Sequence, residues 1–270
     1  MNLCIWPDCH VCGPGVYFRL YGEIFMIFPM TLALLTSATN AVNLPAVYEG
    51  DHSSCIVAGD KKQQSKVTPL ATQDVVASQS EWLGECTLKI ELTAEEQARQ
   101  LAGAGGNRPT LVILGKDFTN GVIEANVAAT VNGLGGPGTR GFVGIAFHIA
   151  DDLNKFEAVY LRMTNGTLNI PLPPAPRDVR AIQYVAHPDF HFEESRKVAP
   201  GQYEQAAAVA PGQWHKLRVE IENENLIAFV DGKAVLQIND LKYSAQSGQI
   251  GVWVGDGTSA YVSDFNVVKK

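Results

Sequence analysis

The residues best suited to chemistry lie between Phe156 and Glu204. Tyr160 and Arg162 are two apart, so on a strand they share one face. Arg180 and Tyr184 share a face of an expected strand over Val179–Val185, and Gln183 points to the other. Asn165, His187, Asp189 and His191 stand where loops leave these strands, and loops on a rigid scaffold commonly carry function. Aromatic rings that stack on sugar C–H groups, beside planar multi-donor groups such as Arg, Asn and Gln, make a saccharide site. Tyr160, Arg162, Asn165, Arg180, Gln183, Tyr184, His187, Asp189 and His191 are therefore the candidate ligand-binding residues. The competing reading makes Tyr160 and Tyr184 core aromatics and Arg162 an internal ion-pair partner of Glu157 or Glu204.

Catalysis has weaker support. A retaining glycosidase needs two carboxyls roughly 5–5.5 Å apart, which jelly-roll glucanases supply as Glu-x-Asp-x-x-Glu on one strand. No such motif occurs; Glu124 is followed two residues later by Asn126. No local signature of a Ser-His-Asp triad is present. A lyase-like or keto-sugar mechanism would need a general base, for which His187, His191 and Glu204 are candidates, with His187 and Glu204 preferred as the catalytic pair of choices. His148, alone on a strand face, reads as a structural histidine.

The elements that must position these residues are strands. In Lys216–Glu222, Leu217, Val219 and Ile221 alternate with Arg218, Glu220 and Glu222, the period of a half-buried antiparallel strand. Asp231-Gly232 suits a type I′ hairpin. Further strands are expected at Glu85–Leu92, Leu111–Leu114, Gly121–Val131, Phe142–Ile149, Phe156–Met163, Tyr203–Val209, Val235–Ile238, Gly248–Val254 and Tyr261–Val267, about twelve in all. Tyr261, Ser263, Phe265 and Val267 are expected on one face, as are Val143, Ile145, Phe147 and Ile149. Asn43–Ser80 is polar and irregular, with a short strand near Cys55–Ala58. Thr93 and Glu96 form a capping box that starts one short helix. The Pro-rich stretch Thr167–Asp178 is an extended surface loop. The glycines of Gly133–Gly141 lack the strand-to-helix context and the Gly-Lys-Ser/Thr of a phosphate loop. The expected fold is all-β, a two-sheet antiparallel jelly-roll sandwich over residues 43–270.

Several stretches match a known family in order: Phe156–Arg162 followed by Asn165-Gly166, Gln183-Tyr184, His187–Asp189, Pro200–Glu204, Pro211–Glu220, Val230–Val235, Asn239–Lys242 and Gly251–Phe265. They resemble secreted bacterial proteins with a concanavalin A-like (laminin-G-type) jelly roll, related to 3-keto-disaccharide hydrolase-like domains. The resemblance spans about Phe118 to Val268. Met163 stands where the family usually has proline, and Leu168–Arg177 replaces a more basic loop. The resemblance implies a sandwich of the lectin/glucanase type and, as one alternative, processing of keto-glycosides.

Bulk properties narrow the partners. The formal net charge is −7 and no Lys/Arg cluster appears, which argues against nucleic acid. Ile24–Leu35 is apolar but too short to span a membrane. Small residues follow it, and Thr39-Asn40-Ala41 resembles a signal-peptidase site, so Met1–Ala41 reads as a secretory leader and the mature chain as secreted or periplasmic, without an integral membrane segment. Met26 or Met30 are alternative starts. Cys4, Cys9, His10 and Cys12 lack the second knuckle of a zinc site. Cys55 and Cys86 remain after export and either pair or are two separately buried thiols. No cofactor is expected; the fold class accommodates a structural Ca2+, for which Asp256 and Asp264 are available. The leading expectation is a lectin-like domain that binds a saccharide or polysaccharide. A glycoside-processing enzyme and an adhesion domain that binds protein are the alternatives.

Overall fold

The computed structural model describes residues 46–47, 55–57, 61–63, 66–103, 108–244 and 246–270. The expected leader, with Cys4, Cys9 and Cys12, lies outside them. The fold below belongs to the compact unit Asn43–Lys270.

In chain order the strands and helices begin with β1 (Ala46–Val47), β2 (Cys55–Val57), β3 (Lys61–Gln63), β4 (Ala71–Gln73), β5 (Val75–Trp82), β6 (Glu85–Leu92), α1 (Ala94–Leu101), β7 (Leu111–Phe118) and β8 (Gly121–Val131). There follow β9 (Phe142–Ile149), β10 (Phe156–Arg162), β11 (Ile182–His187), α2 (Phe192–Val198), β12 (Glu204–Gln205), β13 (His215–Glu222), β14 (Asn225–Val230), β15 (Lys233–Ile238), β16 (Gly248–Val254) and β17 (Thr258–Lys269). Two antiparallel sheets form the expected jelly-roll sandwich. One has eight strands in the order β1-β4-β7-β16-β9-β10-β11-β12, the other seven in the order β15-β14-β13-β8-β17-β6-β5. β2 and β3 form a separate two-stranded ribbon.

The core lies between the sheets. Val143, Ile145, Val159, Leu161, Ile182, Tyr184 and Val252 from the eight-stranded sheet meet Ile123, Val127, Leu217, Val219, Ala260 and Val262 from the other. Each set comes from alternate positions, as the pleat requires. Asp231 and Gly232 both adopt positive φ (50° and 80°), the geometry of the expected type I′ turn.

Several expectations need correction. The strand anticipated at Val179–Val185 begins at Ile182, because Arg177–Val179 closes a 3-10 turn behind Pro176 and Arg180 N–H bonds to the Arg177 carbonyl at 3.0 Å. Tyr203–Val209 pairs only at Glu204–Gln205, since the chain then turns to the Thr167 loop, where Thr167 N–H bonds to Ala207 O at 2.9 Å. A second helix, α2, follows His191. Thr93 caps α1 by accepting from Glu96 N–H at 3.2 Å, but the Glu96 carboxylate turns to Arg99 and Gln100 instead of reaching back. Two irregularities break the simple alternation. Asp264 has φ 50° within a bulge between Ser263 and Asn266, so Tyr261 stacks outside on Trp82 while Phe265 and Val267 pack inward. His148 has φ 48°, and Ile149 thereby joins the outer cluster with Ala146 rather than the inner one with Phe147.

Cys55 and Cys86 form a disulfide, with Cα atoms 5.8 Å apart and a sequence separation of 31. It ties the β2–β3 ribbon to β6. Reducing it is expected to lower stability by about 3–4 kcal/mol on the chain-entropy model. Thermal unfolding with and without a reductant checks this, and an unchanged melting temperature would count against a stabilising bridge.

Candidate functional site

The site lies on the outer face of the eight-stranded sheet. Alternation along β10 turns Phe156, Ala158 and Tyr160 outward, while Val159 and Leu161 face the core. On β11 the outward residue is Val185, flanked at the same spacing by Gln183 and His187, while Ile182, Tyr184 and Ala186 face inward. Phe142 of β9 and Trp253 of β16 pack against the same outer cluster.

Gly144 makes the centre of this face. It lies opposite Tyr160 on one side and Trp253 on the other. A Cβ at position 144 would overlap the Val159 carbonyl and the Tyr160 side chain. The missing side chain lets the Tyr160 and Trp253 rings approach to 4.7 Å between centroids. Phe142 completes a trio, edge-on to Tyr160 at 6.1 Å and to Trp253 at 6.2 Å. These rings, with Phe156 and Phe192, wall a cavity of about 130 Å³. Its polar lining includes Gln100, Arg108, Arg162, His191 and Asp256.

Behind the rings runs a polar relay. Arg162 Nη2 donates to the Tyr160 hydroxyl at 3.0 Å, and that hydroxyl donates to Gln183 Oε1 at 3.1 Å. Burial raises the Tyr160 phenol above its ordinary range, against the opposing pull of Arg162, so it stays a donor. Gln183 is fully buried, and its Nε2 has no hydrogen-bond partner. Glu204 receives Arg196 through both oxygens (2.8 and 2.7 Å), Arg180 at 2.9 Å and Arg162 at 3.4 Å. Burial alone would raise the Glu204 carboxyl, but the Arg196 hydrogen bond and the charges of Arg196, Arg180 and Arg162 hold it below the usual range. It is therefore an anion with its lone pairs occupied, poorly suited to donate a proton.

His187 is buried, with its ring stacked on Phe156 at 4.9 Å. Its Nδ1 lies 3.2 Å from Nε2 of His191, so one nitrogen donates and the other accepts. Burial, and secondarily the neighbouring His191, pushes the His187 imidazole down to about 4. His191 is also lowered, by burial. An unfolded chain binds a proton at position 187 near pH 6.5 and the folded one near 4, so this contribution to stability is complete above about pH 6.5 and is lost as the pH falls towards 4. The melting temperature is expected to fall over that window, less steeply in His187→Gln; identical slopes in the two proteins would refute the assignment.

The other candidates divide. Asn165 donates to the Arg180 carbonyl and accepts from Arg177 Nε, both at 3.0 Å, and so fixes the loop that presents Arg180. Asp189 is exposed on the turn after His187. Tyr184 is corrected from the binding face to the core: it is fully buried and hydrogen-bonds to Glu157, because the strand runs with Gln183 outward. Arg162 pairs with Glu204, not with Glu157. His148 is structural, bound to Glu157 at 2.6 Å and to the Thr119 carbonyl at 2.8 Å. Asp256 accepts from Gln97 Nε2 (2.5 Å), Gly136 N–H and Thr139 Oγ1 (both 3.1 Å), and Asp264 pairs with Lys66. Among the described residues no group of three or more His, Cys, Asp or Glu is arranged to hold a metal ion, and no helix is long and apolar enough to cross a membrane.

No protein-family model matches the chain, and no curated protein matches its sequence. Among solved structures it is similar to carbohydrate-binding module CBM66 from Bacillus subtilis, with 10% identity over 72% of this chain and 94% of that one and a TM-score of 0.44. It is also similar to a Bacillus subtilis protein of unknown function with a galectin-like fold (11% identity, 73% and 90% covered, TM-score 0.42). A third is the Emp47p carbohydrate recognition domain (12% identity, 80% and 94% covered, TM-score 0.40). Likeness at this level carries no argument about the site, which rests on the geometry above.

Sequence reasoning missed Trp253, Phe142, Phe156 and Phe192. For Trp253 the signal was available: Val252 and Val254 alternate with it, so a strand that buries the valines must turn the indole outward.

Proposed function

We propose that the outer face of the eight-stranded sheet binds a saccharide. The observation that carries this reading is the Phe142–Tyr160–Trp253 trio around the empty Cβ position of Gly144, set in a cavity whose lining also offers Arg108, Arg162, Gln100 and His191. Aromatic faces take sugar C–H groups, and planar donors take the hydroxyls. Binding is favoured over turnover because Glu204 is an ionised carboxylate enclosed by arginines and His187 is packed against Phe156, so neither offers a free proton-transfer group. The sequence resemblance to keto-disaccharide hydrolase-like domains therefore contributes a scaffold rather than a reaction. Residence in an oxidising compartment, secreted or periplasmic, is part of the same proposal and is supported by the Cys55–Cys86 bridge. Calorimetric screening of the protein against a panel of plant, fungal and bacterial polysaccharides tests the reading; heat of binding is expected for at least one, and silence across the panel would refute it.

A further inference from the structure

The charges around the cavity do not cancel. Four guanidinium groups stand at or directly behind it: Arg108 and Arg162 in the lining, Arg180 and Arg196 on Glu204. Four carboxylates face them, Glu204, Asp256, Glu193 beside Arg196 and Glu96 towards Arg108, but Arg99 already holds Glu96 and Arg140 adds a further guanidinium near Arg162. A local surplus of positive charge thus sits in a chain whose formal net charge is −7. Arg140, half-buried nearby, is lowered first by desolvation and then by the charges of Arg177 and Arg162, as cationic crowding would produce.

The site is also short of acceptors. Glu204 and Asp256 already receive several donors each. Of the five N–H groups of Arg162, two are engaged, by Tyr160 and Glu204. The Gln183 amide orientation follows from the relay: the Tyr160 hydroxyl accepts from Arg162, so its proton must go to Gln183 Oε1, which leaves the buried Nε2 without an acceptor. Gln183 lies behind Tyr160 and outside the cavity lining, so its orphan donor marks the excess of donors behind the site, while the unengaged N–H groups of Arg162 are the ones in the lining. Guanidinium groups match planar or multi-oxygen anions in particular.

We propose that the saccharide taken by this face is anionic, a sugar bearing a carboxylate or a sulfate that meets Arg162 and Arg108 while its ring lies on Trp253 and Tyr160. The inference rests on the saccharide reading above and specifies its ligand class. Two pairs of probes test it: oligogalacturonate against its methyl ester, and a sulfated glycosaminoglycan oligosaccharide against its desulfated form. In at least one pair the charged member is expected to bind about tenfold tighter or more, the value of a charge-assisted hydrogen bond. Raising the ionic strength should erode that preference, and the pair that responds identifies carboxylate or sulfate as the group recognised. Arg162→Gln and Arg108→Ala should each reduce the preference; Arg108 is exposed, so its variant keeps the native melting temperature even if Arg162→Gln disturbs Glu204. Equal affinity for charged and neutral members, with binding still lost in Trp253→Ala, would overturn the charge assignment and leave the saccharide reading standing. Absence of binding to all four probes and to the polysaccharide panel would overturn both.

Discussion

Replacing Glu157 with alanine is expected to destabilise the sandwich by about 3–5 kcal/mol, the cost of breaking a buried charged network from one side. Glu157 is fully buried on the inward face of β10. One carboxylate oxygen lies 2.6 Å from His148 Nδ1. The other accepts the Lys242 N–H at 2.7 Å and the Tyr184 hydroxyl. Burial, and then the Glu157 charge, raise the Tyr184 phenol, so it remains a donor throughout the working range. His148 in turn reaches the Thr119 carbonyl. Thr119 lies between β7 and β8, and Lys242 lies between β15 and β16, where the chain passes from one sheet to the other. A single carboxylate therefore clasps both crossings. Alanine would strand two buried donors, His148 Nδ1 and the Tyr184 hydroxyl, each costing about 1–3 kcal/mol if water does not replace the acceptor, and would free the part-buried Lys242 N–H. Denaturant unfolding of Glu157→Ala, Glu157→Gln and Tyr184→Phe checks the ranking, with the alanine variant least stable and Tyr184→Phe mildest, near about 1 kcal/mol. A loss under about 1 kcal/mol in Glu157→Ala would show that water fills the gap and that the clasp contributes little.

Trp253→Ala is expected to weaken saccharide binding by about 2–3 kcal/mol, or roughly a hundredfold, as truncation of a central aromatic anchor does. The indole is half-buried and stands between Phe142 and Tyr160. Trp253→Phe should retain a large part of the affinity, because a six-membered ring still presents a face. The comparison separates stacking from mere bulk: Trp253→Leu fills space without a π-face and should behave like alanine. Calorimetric titration of the three variants with the best ligand from the panel provides the numbers. Equal affinities for Trp253→Leu and the native protein would refute stacking on this ring.

The sheets were largely legible because period-two alternation survives in single sequences wherever one face is buried. Lys216–Glu222 and Gly121–Val131 illustrate this, and the Asp231-Gly232 turn follows from φ preference alone. What escaped were features set by the third dimension. Asp264 and His148 take positive φ, and nothing in their neighbours announces a face switch. Strand β11 starts three residues later than expected because a 3-10 turn consumes Arg177–Val179, and that offset detached Arg180 from the strand. Tyr184 had the same hydrophobic context as Tyr160, and only the register of β10 against β11, Tyr160 opposite Gln183, places one outside and the other inside. The aromatic trio joins Trp253 to residues 93 and 111 positions before it, so proximity in sequence could bring out Tyr160 and Arg162 but not Trp253.

The margins of the sandwich bear on how the protein behaves in concentrated solution. Next to β11 the eight-stranded sheet ends in β12, two residues long, whose Glu204 side chain is committed to arginines. On the seven-stranded sheet the outermost strand β15 begins with an exposed lysine, Lys233, and its pairing with β14 is interrupted by a register shift at Ala228 and Phe229. Short, charged or twisted borders offer a poor template for strand addition by another chain. At these two borders the sandwich thus limits one route by which β proteins self-associate.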